Sequence, residues 1–544
     1  MPEAGGHNRG RVDPAWGWAD SSNCASCSEI LVASEPVMSS DVHSKLPTSQ
    51  LLFLDIFRSS GLYGFALLAQ RLVGFILLPV YTRFLTPSDY GVIELLTQVM
   101  YVLSILFGGA YSSALGYHYF LYDSTRWRST VTSTCILGST LLGLSGSALG
   151  WVLSIPLCSH LLHEPSFVPY CRIFFAAMAA DFLLESLLLW LRVVNRPRVY
   201  VTASIVRLCL TVACTLPLLV VFHLGITGVL VSNLIATSLT AILFTIYSAP
   251  QVGFHFDPNV FLRMLRFSIP LSMTSLALLF IHFGDRFFLQ HYRNLTDVGL
   301  YGLAYKIGML ISLIYSTFHA YWSAQVFDIL RRADGEFVFS RVFTYLMLIL
   351  SWSAVGLIVL SKPALRILTT PAFYSAAALV PVIVFAYWIR AIGDFFRYLF
   401  LVENRPVFDT ICNILGAVVC LAGYFIFIPA FGSQGAAIAT LVTFATISAV
   451  AVVWTRKLRP LPVEARRLAK IVITAAALIA AFFLLPCPEG ILPGLVWAAI
   501  LIATYPLVLI LLNFPTPGEY SRVRIVMRCL ALTGTRWLLG RGVK

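Results

Sequence analysis

From about Leu62 to Leu512 the chain alternates long apolar runs with short polar breaks. Most runs reach the ~20 residues that an α-helix needs to cross a bilayer. The pattern predicts fourteen spans: 61–82, 90–118, 131–155, 168–191, 199–222, 226–248, 267–289, 298–325, 341–361, 376–400, 407–429, 434–454, 468–486 and 491–512. Pro486, Pro488 and Pro493 crowd the last turn and blur its boundaries. An outer-membrane barrel would instead alternate polar and apolar residues. Residues 1–54 break the pattern, being rich in Gly, Ser, Pro and Asn through the first 50 residues with no apolar run. They read as a disordered cytosolic tail rather than a signal peptide, because no apolar core follows a basic start. A second reading starts translation at Met38.

Composition sharpens this picture. Apolar residues make up 58% of the chain and charged residues 12%, with a mean hydropathy of +0.84. That charge content is about half the ~25% of soluble proteins. A soluble enzyme, a disordered protein and a coiled coil are excluded. The net charge of +13 is spread over short loops, which argues for a membrane and against nucleic acid. Loops after even-numbered spans, together with the C-terminal tail, hold most Lys and Arg. Examples are Arg126, Arg128, Arg192, Arg196, Arg198, Arg331, Arg332, Arg456 and Lys457. The opposite loops hold only Arg83, Arg172, Arg293, Lys362 and Arg366. The positive-inside rule then places both termini in the cytoplasm and the protein in the plasma (inner) membrane.

Of eleven cysteines, Cys135, Cys209, Cys214, Cys412 and Cys420 fall inside apolar spans and read as small apolar residues. Cys24 and Cys27 form a lone C-x-x-C. A zinc site needs four ligands, so no metal or cofactor is expected.

The two halves repeat. Val194-Asn195-Arg196-Pro197 after span 4 matches Glu403-Asn404-Arg405-Pro406 after span 10, a shift of 209. Asp89-Tyr90-Gly91 matches Asp297-Val298-Gly299 at a shift of 208. Gly225-Ile226-Thr227-Gly228 matches Gly432-Ser433-Gln434-Gly435 at a shift of 207. A six-span unit keeps its orientation, so the repeat is parallel. The predicted fold class is an all-α polytopic membrane protein. An N-lobe at 55–255 and a C-lobe at 256–460 flank a central cavity, and 461–544 adds two helices and a basic tail.

The stretch Leu78-Pro79-Val80-Tyr81-Thr82-Arg83-Phe84-Leu85-Thr86-Pro87-Ser88-Asp89-Tyr90-Gly91 resembles the first hairpin of polysaccharide transporters of the O-antigen flippase type. Asp285-Arg286, Val298-Gly299-Leu300-Tyr301 and Ala304-Tyr305-Lys306 are similar to their seventh and eighth spans. These exporters share a superfamily with the multidrug exporters (MATE) and the lipid II flippase. The resemblance covers roughly residues 55 to 455. It implies fourteen helices in two lobes around a V-shaped cavity. It also implies export of an undecaprenyl-pyrophosphate-linked oligosaccharide for lipopolysaccharide O-antigen or another surface polymer. A proton or sodium gradient and a polysaccharide polymerase are the implied partners, beside membrane lipids and the lipid-linked sugar.

Moving a pyrophosphate through hydrocarbon about 30 Å thick requires a hydrated, cationic groove. Polar stripes at helical spacing mark its candidate walls. Span 1 offers Gln70 and Arg71, and span 2 offers Glu94, Gln98 and Tyr101. Span 7 offers His282, Asp285 and Arg286, and span 8 offers Tyr305, Lys306 and His319. Small and polar residues on these faces serve equally for interhelical packing. Arg71, Arg286 and Lys306 are the first candidates for the pyrophosphate, since Arg suits bidentate phosphate contacts. Arg390 and Arg397 on span 10 extend the cationic set. Asp285 and Arg286, adjacent on a helix, point about 100° apart and need not pair. Asp181, Glu185, Asp285 and Asp394 are candidate ion-coupling carboxylates. Their alternative is a structural ion pair, such as Glu185 with Arg192 or Asp394 with Arg390.

Two further functions compete. A drug–cation antiporter would prefer an acidic, aromatic cavity. A membrane glycosyltransferase or polymerase would need a sizeable outer loop or a carboxylate pair near the membrane face; here the outer loops are short, and no nucleophile constellation or metal-ligand cluster stands out. The chain is therefore expected not to be an enzyme.

Overall fold

Each apolar run folds as a helix, and its ends are set by identifiable caps. The structure, a computed structural model, describes residues 74–107, 111–160, 164–485 and 490–515, apart from the side chains of Thr274, Ala277 and Ala324. All lie in one compact unit, Ser59–Lys544. Among them there is no strand. In order, the helices are α1 (Leu78–Phe84), α2 (Pro87–Leu106), α3 (Ala114–Tyr119), α4 (Thr125–His160), α5 (Val168–Val193) and α6 (Pro197–Leu216). Then come α7 (Gly225–Val252), α8 (Pro258–Phe283), α9 (Asp285–Tyr292), α10 (Leu295–Gly308), α11 (Leu310–Ile329) and α12 (Gly335–Leu368). The last five are α13 (Val380–Val402), α14 (Val407–Phe431), α15 (Ser433–Leu458), α16 (Ala465–Leu484) and α17 (Ile491–Leu511).

Eleven of the described helices are long and apolar enough to cross a membrane, or twelve when the bent pair Pro371–Ala378 and Val380–Val402 is counted as one span. Most of the first expected span lies outside the described residues, including Gln70 and Arg71. Three other spans differ from expectation. The second is α2 followed by the separate turn α3. The seventh is cut at Gly284 into α8 and α9. The eighth is interrupted at Met309, between α10 and α11. At Met309 the apolar run continues, and Leu295–Ser323 still counts as one candidate span, whereas Gly284 is followed directly by the charged pair Asp285–Arg286.

The repeat is visible in backbone detail. Thr86 caps α2 through a capping box: Asp89 N–H donates to Thr86 Oγ1 at 3.2 Å, and Thr86 N–H to Asp89 Oδ2 at 2.9 Å. At the matching place Asn294 caps α10, taking the Asp297 N–H at 2.8 Å. Asn195 and Asn404 both adopt positive φ, at 53° and 54°. At each, the next residue's N–H reaches back to a carbonyl five residues earlier, Arg196 to Leu191 at 2.9 Å and Arg405 to Phe400 at 2.6 Å. This is the Schellman closure of a helix C-terminus, and Asn tolerates the left-handed position it needs. Pro197 then opens α6, where its missing N–H costs little.

The two halves meet at two glycines. A Cβ on Gly91 would overlap the Leu295 carbonyl, and one on Gly299 would overlap the Pro87 carbonyl. The contact is reciprocal, as a two-fold relation between repeats requires. Only glycine allows α2 and α10 to approach so closely. A large apolar core surrounds this contact and runs through α10, α12 and α13, with Leu95, Val298, Leu350, Ile383 and Phe395 fully buried. A second core around Tyr111, Val131, Leu187 and Tyr200 ties α3, α4, α5 and α6 together.

Candidate functional site

Below the Gly91–Gly299 contact, α2, α9 and α10 converge on four charges. Lys306 on α10 reaches Glu94 on α2, with Nζ 2.6 Å from Oε1. The same Nζ donates to the Tyr90 hydroxyl at 2.6 Å and lies 4.7 Å from the ring centroid. Arg286 opens α9. Its terminal nitrogen sits 2.7 Å from Asp285 Oδ1, and its Nε is 4.0 Å from Glu94 Oε2. The adjacent pair Asp285–Arg286 therefore does pair, contrary to the expectation from ideal helix geometry; the long guanidinium arm folds back at the start of α9. Asp285 also accepts from the Tyr301 hydroxyl at 2.5 Å.

Three aromatic rings cover the guanidinium: Tyr305 at 4.4 Å, Phe283 at 5.1 Å and Tyr301 at 5.3 Å. Desolvated cation–π contacts of this kind contribute about 2 kcal/mol. Two cations and two carboxylates neutralise each other, as charges buried in a low-dielectric interior must. Their exposure differs, however. Arg286 is 2% accessible and Asp285 fully buried, whereas 41% of the Lys306 side chain is open. Lys306 is thus the member of the cluster that an incoming anion can meet first.

A polar chain leads away from this cluster. The Tyr305 hydroxyl meets that of Tyr387 on α13 at 2.6 Å. Tyr387 lies 3.4 Å from His282 Nδ1, and His282 Nε2 is 2.6 Å from an Arg390 terminal nitrogen. Arginine only donates, so His282 Nε2 accepts and the ring is neutral in this arrangement. Arg390 continues to Asp394 at 3.2 Å, and Asp394 to Arg397 at 3.2 Å. Arg397 ends the chain on Asp409 at 2.5 Å and Asn413 at 2.9 Å. The sequence alternative of Asp394 paired with Arg390 is what the structure contains.

The Asp181 and Glu185 pair stands apart from that chain. Both turn to Arg207 on α6, at 2.6 and 3.8 Å, rather than to Arg192, which lies over the Tyr200 ring. They line a cavity of about 220 Å³ with Ser104, Ser112 and Ser113. Gln98 is buried, and its Oε1 has no partner among the described residues. Tyr101 stacks on Phe283 at 6.4 Å, while His319 bonds Tyr398 at 2.5 Å, away from the Arg286 cluster.

Helix α13 divides two environments. Tyr387, Arg390, Asp394 and Arg397 follow one face. Pro381, Val384, Phe385 and Trp388 line a largely apolar groove of about 360 Å³ shared with α12 and α16. Among the described residues no group of His, Cys, Asp and Glu is arranged to hold a metal ion.

The model of the family described as "Polysaccharide biosynthesis protein" matches residues 56–321, just under half of the chain. That segment includes the Pro79–Gly91 hairpin and the whole four-charge cluster. Over that segment the chain is similar to this polysaccharide biosynthesis family. Its fold is like that of two solved membrane transporters. The lipid II flippase MurJ in an inward closed conformation superposes with a TM-score of 0.68 at 16% identity, over 82% of this chain and 97% of that one. An inward-facing multidrug resistance MATE transporter gives 0.59 at 15% identity, over 74% and 96%. No curated protein matches at the level of sequence. With eleven or twelve candidate spans among its described residues, the chain is a multi-pass membrane protein whose fold is like those of MurJ and the MATE transporter.

Within that fold, sequence reasoning missed three partners. Arg207 was legible as an Arg inside an apolar run. Tyr387 stands three residues before Arg390 on the same face of α13. Tyr90 lies inside the recognised hairpin, but no periodicity marks it as a lysine partner.

Proposed function

We propose that the protein moves a lipid-linked oligosaccharide, in the undecaprenyl-pyrophosphate class, from the cytoplasmic to the outer leaflet of the inner membrane by alternating access between two repeats, 55–255 and 256–460. The observation that carries the reading is the compensated cluster of Glu94, Asp285, Arg286 and Lys306, set where the repeats meet. A pyrophosphate entering beside Lys306 competes with Glu94 for its ammonium. The Lys306–Glu94 link is then exchanged for a Lys306–phosphate link, without leaving a bare charge in hydrocarbon. The apolar groove beside α13 suits the prenyl chain.

Positive-inside charge puts the Gly91–Gly299 end outside, so this conformation is closed to the outside. Asp181, Glu185 and Asp394 are the proposed places for a coupling proton or sodium ion, each already held by an arginine that it must release. The O-antigen, capsule or exopolysaccharide identity of the cargo belongs to this proposal and not to the fold.

One observation favours a second reading. Glu94 and Asp285 line the same cluster as the cations, so a drug cation of the kind MATE transporters carry would find carboxylates there. Thermal stabilisation of the purified protein separates the two. A ligand at a hundredfold excess over its Kd adds about 2.7 kcal/mol. Undecaprenyl-pyrophosphate oligosaccharide is expected to raise Tm in the parent and not in Lys306→Ala. Stabilisation by cationic dyes alone would move the protein to the antiporter reading.

A further inference from the structure

We propose that Cys158 and Cys171 are joined by a disulfide in the mature protein, stapling the outer end of the α4–α5 hairpin. Their sulfurs lie 2.9 Å apart, and both residues are fully buried. That is within an ångström of a formed bond of ~2.05 Å. The other described cysteines are scattered: Cys420, for example, lies 3.8 Å from the Ile281 carbonyl, with no second sulfur beside it. They behave as the small apolar residues that buried thiols usually are.

Three further observations favour a bond over a chance contact. The first is rigidity. Ser147 Oγ donates to the Phe175 carbonyl at 2.7 Å, and Arg172, next to Cys171, reaches Ser154 Oγ at 3.4 Å while lying over the Trp151 ring. Phe182, Met178 and Phe175 of α5 pack against Gly143, Gly146 and Gly150, where a Cβ would collide with them. The two helices therefore hold the sulfurs in register. The second is local closure: the Glu164 N–H returns to the Cys158 carbonyl at 3.0 Å, so the chain turns back at that point. The third is compartment. The other ends of these helices carry Arg126 and Arg128, and Arg192, Arg196 and Arg198. Positive-inside charge puts those ends in the cytoplasm and the cysteines on the oxidising side, where disulfides persist. The inference rests on that orientation.

The oxidant is an oxidised dithiol or a small-molecule disulfide of the cell envelope. The thiolate of one cysteine attacks an oxidant sulfur and forms a mixed disulfide, releasing the first oxidant thiol. The second cysteine's thiolate attacks the protein sulfur of that mixed bond, forms Cys158–Cys171 and releases the second oxidant thiol. Two electrons pass to the oxidant, and the two thiol protons end on its sulfurs. Neither sulfur is accessible once α4 and α5 pack, so the bond forms before packing is complete and is shielded afterwards. The hairpin that carries Asp181 and Glu185 then moves as one body.

Differential alkylation of the full-length protein tests this without a variant. Cells are dissolved in denaturant with one maleimide, excess is removed, disulfides are reduced, and an isotope-labelled maleimide is added. Cys158 and Cys171 are expected to carry the second label, and Cys135, Cys412 and Cys420 the first. Without reduction, the peptides of Cys158 and Cys171 are expected as a linked pair lighter by two hydrogens. In Cys158→Ser, Cys171 is expected to switch to the first label. First label on both cysteines of the parent would overturn the proposal, as would a link from either one to another cysteine such as Cys487. A separate variant, Glu164→Cys, reports orientation through an exposed residue of the same turn. Its labelling by membrane-impermeant maleimide on intact cells, combined with first label on both native cysteines, would overturn the disulfide and leave the orientation standing. No labelling there would instead overturn the orientation on which the transport direction rests.

Discussion

The two repeats agree at their ends and differ in their middles. Thr86 and Asn294 cap matching helices, Gly91 and Gly299 form one reciprocal contact, and Asn195 and Asn404 close matching C-termini. The charges follow no such symmetry. At a shift of 208, Glu94 corresponds to Gly302 and Gln98 to Lys306. A Cβ on Gly302 would meet the Glu94 side chain, so the acid of one repeat occupies space left by the other. Likewise, Asp181 and Glu185 take their arginine from the next helix, whereas Asp394 takes Arg390 and Arg397 from its own. Caps and close approaches are demanded by the backbone, which is alike in both halves. Charges are not demanded by the backbone; under the proposed function they answer to a lipid-linked sugar, which is not symmetric. The frame is duplicated and the chemistry is not.

The strongest way to break this comparison is at the shared contact. Gly91→Val and Gly299→Val each force a side chain onto a backbone carbonyl, which cannot rotate away. Overpacking of this kind costs about 1–3 kcal/mol, and here the strain is relieved by parting α2 and α10. Both variants are expected to abolish transport to similar degrees. Val298→Cys, fully buried in the parent background, should be labelled by external maleimide at least about tenfold faster when either valine is present. A large effect from one glycine and none from the other would show that the contact is not a shared frame element.

The middle should behave in the opposite way, with unequal effects at equivalent positions. Lys306→Ala leaves Glu94 buried with only the distant Arg286 Nε for compensation. The cost is about 2 kcal/mol, below the value for a fully buried pair because Lys306 is partly open. Gln98→Ala removes an amide whose Oε1 has no described partner, and should change Tm little. Adding Glu94→Gln to Lys306→Ala should restore stability and leave ligand binding lost. If the double variant is no more stable than Lys306→Ala, the ion pair is not the reason for the loss.

These comparisons also explain what the sequence could reveal. The spans, the repeat and the hairpin were legible because hydropathy and turn residues are local properties. The sequence singled out Glu94, Arg286 and Lys306 as polar residues on repeat-related spans, but not that Lys306 pairs with Glu94. The interruption at Met309 was not legible, because apolar residues continue through it; at Gly284 the step Gly284-Asp285-Arg286 stood in the sequence but was read as part of one continuous span. The pairing of Asp181 with Arg207 was not legible either: α5 and α6 are joined by a turn whose angle decides which arginine faces the acid. The polar chain from Tyr305 through Tyr387 and His282 to Arg390 draws on three helices far apart in sequence. No period or spacing connects them.

The smallest effects should come from the turn asparagines, and they test the frame most cleanly because no charge is altered. Asn195→Ala and Asn404→Ala keep the side chain small but place a Cβ-bearing residue without Asn's local bonding at φ near +54°. Left-handed backbone costs such a residue about 1 kcal/mol. Each alanine variant should lower Tm by a few degrees, by the same amount within error. Asn195→Gly and Asn404→Gly should be neutral or slightly stabilising, because glycine pays no penalty there. Transport should be unchanged in all four, since neither residue touches the four-charge cluster. If Asn404→Ala lost transport while Asn195→Ala did not, at equal Tm, the second turn would be acting on substrate. Its conformation would then be shared by descent and its use would not, which would extend the asymmetry of the middle out to the helix ends.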